Sequence, residues 1–105
     1  SALEFKLSTS PHYISPEVAS SSILIKEHEL IYMDFWQLGV VCFVLLTGVF
    51  PFGHSKKKIN DIKKCVLKDE IKWPSEINIS QGMKRYVSSF LKKNPRERRI
   101  ECFDE

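Results

Sequence analysis

The side chains that could do chemistry in this chain are few and widely separated. Three cysteines and three histidines are the candidates for metal binding or nucleophilic catalysis: Cys42, Cys65, Cys102, His12, His28 and His54. They form no Cys-x-x-Cys pair, no histidine pair at metal-ligand spacing and no nucleophile motif. The sequence therefore predicts no metal site, no disulfide framework and no catalytic group among them. Unpaired cysteines indicate a reducing compartment, and we expect a cytoplasmic location.

Positive charge offers a second kind of chemistry, the binding of phosphates. The chain has 16 basic and 13 acidic residues, a net charge of +3, and the two signs are mostly interleaved. Residues 56–58 are three lysines that could contact nucleic acid, but they open a predicted amphipathic helix, where a solvated face is the commoner role. Trp36 and Trp73 lack the interleaved basic residues of a base-stacking platform. We predict no nucleic-acid partner.

Helices are the elements that must position these side chains. At 105 residues, 43% apolar and 28% charged, the chain is the size of one small soluble domain. No segment alternates convincingly at period two, whereas three segments have helical patterns. The predicted elements are an extended N-terminal segment 1–17 that ends in a short helix start, a long loop 18–33, an apolar central helix 34–47, an amphipathic helix 56–68 and a C-terminal helix 80–93. The predicted fold class is mainly α.

The central helix raises the question of a membrane span, because residues 35–54 carry no formally charged side chain. A helix of about 13 residues rises about 20 Å, which is short of the ~30 Å hydrocarbon core of a bilayer. A longer helix would carry Gly48 and Pro51 into lipid. We therefore predict a buried core helix and no membrane span. A helix that is apolar on every face must be surrounded, and two amphipathic helices are too few to surround it.

Three stretches resemble motifs of the eukaryotic Ser/Thr protein kinase family, in the family's order. Residues 10–17, SPHYISPE, resemble the pattern Ser/Thr-Pro-x-Tyr-x-Ala/Ser-Pro-Glu at the end of the activation segment. Residues 34–52 resemble the Asp-x-Trp-Ser-Leu-Gly-Val helix with its Leu-x-Gly-x-x-Pro-Phe continuation, and residues 90–98 resemble the final Leu-Leu-x-x-Asp-Pro-x-x-Arg motif. The resemblance implies the helical lower half of a kinase C-terminal lobe, which is incomplete relative to the full α+β kinase fold.

Structural roles follow from the resemblance. The glutamate of the first motif pairs with the arginine of the last in this family, which implies an ion pair between Glu17 and Arg98. Asp34 matches the residue that anchors the backbone of the catalytic loop. Val41 and Leu45 match the base of the apolar spine beneath the adenine.

The resemblance also implies a substrate pocket. Ser10 matches the hydroxyl residue that hydrogen-bonds the catalytic aspartate and lysine beside the acceptor hydroxyl. Leu7, Pro11 and Ile14 match the wall that receives the substrate residue after the phosphorylated one, so an apolar side chain is expected there. Val44 stands where arginine-directed relatives have a glutamate, so arginine-directed specificity is not predicted from that position.

The groups that perform phosphoryl transfer are missing from these 105 residues. There is no Gly-rich loop, no Val-Ala-Ile-Lys lysine, no His-Arg-Asp loop and no Asp-Phe-Gly, and these parts hold ATP and Mg²⁺ and orient the nucleophile. We therefore predict no catalytic residue in the chain. ATP and Mg²⁺ would belong to the intact domain, and the chain alone would be inactive. Its expected partners are a protein substrate or the remainder of the kinase domain.

Departures from the family pattern support an alternative, a degenerate kinase that acts as an interaction module. Lys6 stands where many relatives carry an activating phosphothreonine, and Thr9 replaces the usual glycine. The segment 56–68 would then be the surface that docks a partner protein. The kinase branch also stays open, because residues 94–98 favour the cyclic-nucleotide-dependent branch, whereas residues 11–13 and 73–74 suit a calcium/calmodulin-type relative.

Overall fold

The computed structural model describes residues 10–20 and 30–100, and this part of the chain folds into helices and turns without a strand. The prediction of a mainly α fold is confirmed. The elements are a 3₁₀ turn at Pro11–Tyr13, helix α1 at Pro16–Ala19, helix α2 at Leu30–Thr47, helix α3 at Ile59–Lys68, helix α4 at Gln81–Phe90 and a second 3₁₀ turn at Pro95–Glu97.

Helix α2 begins at Leu30 and not at Asp34, so the predicted loop 18–33 is too long at its C-terminal end. Residues 30–33 are apolar and continue the helical pattern upstream, and Met33 is buried. The helix ends at the predicted residue, Thr47, directly before Gly48, since glycine commonly ends helices. Thr47 Oγ1 donates to the Phe43 carbonyl at 2.8 Å, and Gly48 follows in the left-handed conformation with φ of 80°, as a helix cap requires.

The longer α2 removes the length argument against a membrane span. Its 18 residues rise about 27 Å, which is close to the ~30 Å of a bilayer core. Among the described residues, α2 is the one helix whose length and composition would suit a membrane, and 28% of it is buried in this structure. A helix at the centre of a protein core has the same composition.

Helices α2 and α4 pack at very short range, and Gly39 is the residue that permits it. A Cβ atom placed on Gly39 would lie 2.8 Å from the Phe90 Cβ and 2.8 Å from the Leu91 Cδ2. Such distances are well inside van der Waals contact, so only glycine fits. The contact brings the start of the segment 91–98 against the middle of α2.

The two smaller helices differ from their predicted bounds. Helix α3 begins at Ile59 and not at residue 56, because Lys58 has an extended backbone with ψ of 135°. Helix α4 ends at Phe90 and not at residue 93, because Leu91 leaves helical geometry with ψ of 42°. At the other end of α4, the Ser80 hydroxyl caps the helix by accepting from the Met83 amide at 3.1 Å.

The core is formed by one side of α2 and the inner faces of α3 and α4. Its buried members are Trp36, Val40, Phe43, Phe52, Ile62, Val66, Val87 and Leu91. Ile59, whose spacing predicts the same inner face of α3, is 48% exposed, since it lies at the first residue of the shorter helix. The core therefore uses fewer residues of α3 than the sequence pattern indicates.

We expect Gly39→Ala to destabilise the chain by about 1–3 kcal/mol, because the added methyl group would force α2 and α4 apart. Chemical denaturation followed by circular dichroism would measure the change. Leu38→Ala is the matched control, since Leu38 is the neighbouring α2 residue and is 44% exposed. Equal stability of the two variants would contradict the close-packing argument.

Candidate functional site

A buried arginine joins three separate segments of the chain. Arg98 binds Glu17 through two parallel bonds, from Nη1 to Oε2 at 2.8 Å and from Nη2 to Oε1 at 2.7 Å. Nη1 also donates to the Tyr32 carbonyl at 2.8 Å, Nε to the Lys92 carbonyl at 2.7 Å and Nη2 to the Lys93 carbonyl at 3.3 Å. A guanidinium group has five N–H donors, so every donor of Arg98 has an acceptor.

Local sequence places both partners of this pair. Asn94 Oδ1 accepts from the Arg96 amide at 3.1 Å and starts the second 3₁₀ turn, which Pro95 continues with its fixed φ. That turn carries Arg98 into the interior. Glu17 sits in the first turn of α1, behind the buried Pro16.

The arginine of this pair is fully buried and the glutamate is partly buried. The Arg98 side chain is 0% exposed and the Glu17 side chain is 18% exposed. The Arg98 guanidinium carbon also lies 5.0 Å from the centre of the Trp36 ring, which is a favourable position for a cation. A buried charge that loses its partner is strongly destabilising. The ion pair that the resemblance implies is therefore present as a fixed structural link.

The predicted substrate-pocket residues lie in and beside the first 3₁₀ turn. Ser10 is exposed and caps the turn, while Pro11 and Ile14 are half-buried. Ile14 packs against the core, together with Tyr13. Leu7, the fourth predicted member, lies outside the described residues.

Aromatic rings attach this turn to the segment that follows α2. The His12 ring stacks on Phe50 with centroids 4.4 Å apart and planes 13° apart. Tyr13 meets the same Phe50 ring edge-on at 5.4 Å, and His54 lies on it at 6.0 Å. The Phe50 amide donates to His54 Nδ1 at 3.1 Å. The two histidines thus belong to a ring cluster formed by His12, Tyr13, Phe50 and His54, in which His54 bonds locally and His12 also contacts carbonyls more than 40 residues away.

The predicted supporting residues of α2 share an exposed face. Val41 and Leu45, the predicted spine base, are 40% and 80% exposed, and Ile31 and Leu38 are 53% and 44% exposed. Spacings of three, four and seven residues put them on one side of the helix. Asp34, the predicted anchor, is exposed on the same side. The structure thus places the predicted anchor and the predicted spine base on the exposed side of α2.

Lys93 is a central contact that sequence reasoning missed. Its ammonium group donates to the Val66 carbonyl and lies 3.9 Å from the Phe52 ring centre and 5.8 Å from the Trp36 ring centre. Burial lowers the pKa of Lys93 below its ordinary value, while the nearby Asp69 carboxylate acts in the opposite direction. The sequence around Lys93 did not predict this contact, because the Trp36 and Phe52 rings belong to segments that are distant in sequence.

Two buried polar atoms have no hydrogen-bond partner among the described residues, Ser15 Oγ and Trp36 Nε1. Ser15 is the N-cap residue of α1, but its side chain makes no cap hydrogen bond. Ser15 occupies the position where the family pattern more often has alanine. Compared with alanine, serine therefore adds a buried hydroxyl that has no hydrogen-bond partner among the described residues.

Metal and thiol chemistry have little support in the described part of the chain. It contains no group of three or more His, Cys, Asp or Glu side chains that could hold a metal ion. Cys42 and Cys65 are both free thiols. Burial raises the pKa of the Cys42 thiol, and burial followed by the Asp69 hydrogen bond raises that of Cys65. Both thiols are therefore poor nucleophiles at neutral pH.

The known proteins that this chain resembles all belong to one family. The model of the protein kinase domain matches residues 5–101. The probable serine/threonine-protein kinase KCC4 of Saccharomyces cerevisiae is 33% identical over 85% of this chain, which corresponds to 8% of that protein. A probable myosin light chain kinase of Dictyostelium discoideum is 35% identical over 85% of the chain and 26% of its own length. The serine/threonine-protein kinase GIN4 of Saccharomyces cerevisiae is 35% identical over 90% of the chain and 8% of its length.

We expect Glu17→Gln to cost about 3–5 kcal/mol of unfolding free energy, because it leaves the fully buried Arg98 guanidinium without its counter-charge. Arg98→Lys should cost a similar amount, since an ammonium group cannot reproduce the five-donor fork. Chemical denaturation would measure both. Lys64→Gln, at an exposed position, is the control and should change stability by no more than ~0.5 kcal/mol. A Glu17→Gln variant as stable as that control would contradict the role of the pair.

Lys93 gives a prediction about pH. Its folded-state pKa lies below the ordinary 10.5, so at alkaline pH the unfolded chain binds more protons at this site than the folded chain. Stability from this group therefore rises with pH up to about 10.5. The unfolding free energy of the wild type should accordingly increase relative to Lys93→Met over that window. Lys92→Met controls for the loss of one positive charge, and a wild-type minus Lys93→Met difference that is constant with pH would refute the prediction.

Proposed function

Since this chain belongs to the protein kinase domain family, we propose that it forms the substrate-binding, helical lower part of a Ser/Thr kinase C-terminal lobe. In the intact domain this part would support ATP-dependent phosphoryl transfer to serine or threonine of a protein substrate. The chain spans 8% to 26% of the length of the three relatives described above. The activity of the whole protein is therefore part of the proposal, as are its protein substrates and its cytoplasmic location.

The observation that carries the proposal is the Glu17–Arg98 pair. It connects the Pro-Glu end of the first motif to the arginine of the last motif across 81 residues. A bond of this kind fixes α1, and with it the preceding turn, against the last segment of the chain. It supports a rigid platform for the turn that would receive substrate.

The exposed face of α2 supports the view that further parts of a kinase domain lie on this chain. Ile31, Leu38, Val41 and Leu45 expose between 40% and 80% of their surface. The acidic Asp34 lies on that face, and a carboxylate is costly within lipid but useful toward a loop with backbone amides. A protein cover therefore suits this face better than a membrane does. In this proposal Asp34 anchors the catalytic loop, and Val41 and Leu45 support the apolar spine.

Ser10, Pro11 and Ile14 would form the substrate end of the platform, together with Leu7. The exposed Ser10 hydroxyl and the half-buried Pro11 and Ile14 lie on one short segment held by the ring cluster. An apolar substrate residue suits the last two. The role of Ser10 would be to contact the catalytic groups supplied by the rest of the domain.

ATP and Mg²⁺ belong to the intact domain and do not fit the residues present here. The described part of the chain has no cluster of potential metal-ligating side chains, and the full sequence lacks the Gly-rich, His-Arg-Asp and Asp-Phe-Gly motifs. No step of phosphoryl transfer can be assigned to these residues. Their contribution would be to bind and orient the protein substrate.

The second candidate is a degenerate kinase that binds proteins without catalysis. The residues Lys6 and Thr9 favour it, since they change the segment that controls activation in the family. Its docking surface would be α3, on which Ile59 and Leu67 are 48% and 38% exposed. The sequence that precedes this segment in the parent protein separates the two candidates, because only an active kinase needs His-Arg-Asp and Asp-Phe-Gly.

We expect the 105-residue chain to show no binding of ATP with Mg²⁺ in isothermal titration calorimetry, because it contains none of the family's nucleotide-binding motifs. A longer product of the same gene that includes the preceding motifs should bind ATP and phosphorylate a Ser/Thr peptide. The 105-residue chain is the matched control within that experiment.

Micromolar binding of ATP by the 105-residue chain would contradict the proposal that other parts of the intact domain bind the nucleotide. A longer protein that carries the motifs but transfers no phosphate would favour the degenerate kinase.

A further inference from the structure

A cleft between α4 and the segment that follows it concentrates positive charge. It encloses about 440 Å³, and seven residues line it, of which four are basic, one is acidic and two are serines. Four positive charges and one negative charge give the lining a net charge of +3, which equals the net charge of the whole chain. The other residues of the chain therefore sum to zero formal charge. The basic residues of this cleft, called the basic cleft below, are Arg85, Lys92, Arg96 and Arg99, and all four are exposed.

Two segments form the walls of the basic cleft. Arg85, Ser88 and Ser89 lie three and four residues apart on α4, so they share one face of that helix. Arg96 belongs to the second 3₁₀ turn, and Arg99 follows that turn. The Arg99 amide donates to the Ser89 carbonyl at 3.3 Å and holds the second wall beside the first.

The buried Arg98 fixes the backbone of the second wall. Its side chain is fully buried, whereas Arg96, Glu97 and Arg99 are exposed. The Arg98 guanidinium also donates to both carbonyls of residues 92–93, which ties the start of the wall to its end. The backbone that carries the exposed charges is therefore fixed before any ligand binds, which lowers the entropic cost of binding.

The charges of the basic cleft favour a doubly charged anion. Glu97, its acidic residue, accepts through Oε2 from Asn94 Nδ2 at 3.4 Å. Phosphoserine and phosphothreonine carry a charge of about −1.5 to −2 at neutral pH and three acceptor oxygens, whereas a carboxylate carries a single charge. A phosphate group therefore offsets more of the positive charge than an aspartate or glutamate side chain does.

The donor groups of the basic cleft also suit phosphate. Three of its four basic residues are arginines, and a guanidinium group presents a planar fork of N–H donors that matches two phosphate oxygens. The half-buried Ser88 hydroxyl lines the same cleft and can donate to a phosphate oxygen. Guanidinium forks on both walls would thus meet a phosphate group placed between them.

The lining favours a protein ligand over a nucleic acid or a membrane. None of the seven lining residues is aromatic, so the basic cleft offers no ring on which a base could stack. None is aliphatic either, so the lining offers no apolar surface to enter a bilayer.

We propose that the basic cleft is a docking site for a phosphorylated serine or threonine in a protein segment. The phosphate would lie between Arg85 on α4 and the pair Arg96 and Arg99 on the second wall. The basic cleft shares no residue with the predicted substrate pocket. The inference goes beyond the proposed function, because binding at this cleft requires no phosphoryl transfer.

The first test maps binding on the wild-type chain and needs no variant. The probe is the peptide Gly-Ala-phosphoserine-Ala-Gly, titrated into the nitrogen-15-labelled 105-residue chain and followed by NMR. The amide resonances of Ser88, Ser89, Arg96 and Arg99 should shift. The same peptide with unmodified serine or with glutamate should bind about tenfold more weakly or worse, since it lacks the doubly charged group.

The second test compares matched substitutions. Arg96→Gln/Arg99→Gln should weaken phosphopeptide binding about tenfold, because two guanidinium contacts are lost. Lys57→Gln/Lys64→Gln removes the same charge from exposed positions outside the cleft and should change the affinity by less than about twofold. Arg96→Lys/Arg99→Lys keeps the charge without the fork and should retain only part of the affinity. Circular dichroism checks that each variant keeps its helices.

Several results would overturn the docking site. They are an absence of shifts in the basic cleft, equal binding of the phosphorylated and unmodified peptides, and equal weakening by the cleft and control variants. Tighter binding of a single-stranded oligonucleotide of equal charge at the same arginines would also overturn it. A full-length protein that transfers no phosphate would refute the proposed kinase activity only, because neither test here depends on catalysis.

Discussion

The buried guanidinium of Arg98 is the interaction on which the rest of this structure depends. It satisfies its five donors with the Glu17 carboxylate and three backbone carbonyls. Removing either charged partner would leave an uncompensated charge in the interior, which the low dielectric penalises strongly. The pair therefore fixes α1 and the 3₁₀ turn Pro11–Tyr13 before it, although α1 has only four residues and little stability of its own.

A second constraint is the uneven covering of α2. Its inner side packs on α3 and α4 and reaches the closest approach at Gly39. Its outer side leaves apolar residues in contact with water, with Leu45 80% exposed. In a protein kinase domain such a face would be an internal surface. The fold thus has a packed side, where α3 and α4 cover α2, and an exposed side, and the 3₁₀ turn Pro11–Tyr13 is attached to the packed side through the ring cluster.

Sequence reasoning was accurate where the signal was local or carried by a motif. The mainly α fold and the protein kinase family were both predicted and are confirmed. It was wrong about the start of α2, which was predicted at residue 34 and lies at Leu30. Because the predicted helix was too short, the argument that it could not cross a bilayer does not hold. Residues 30–33 continue the apolar helical pattern upstream, and Met33 in this added turn is fully buried by contacts from other parts of the chain, which its immediate neighbours do not indicate.

The sequence by itself determined the helical class and the family, since periodicity and motifs are properties of neighbouring residues, and the pairing of Glu17 with Arg98 was implied only by the resemblance to that family. Only the tertiary structure decided the environment of Lys93 and the long-range contacts of His12. Lys93 meets rings from α2 and from the segment after it, and His12 meets carbonyls more than 40 residues away. These partners are distant in sequence and are brought together only by folding, so no local pattern in the chain encodes them.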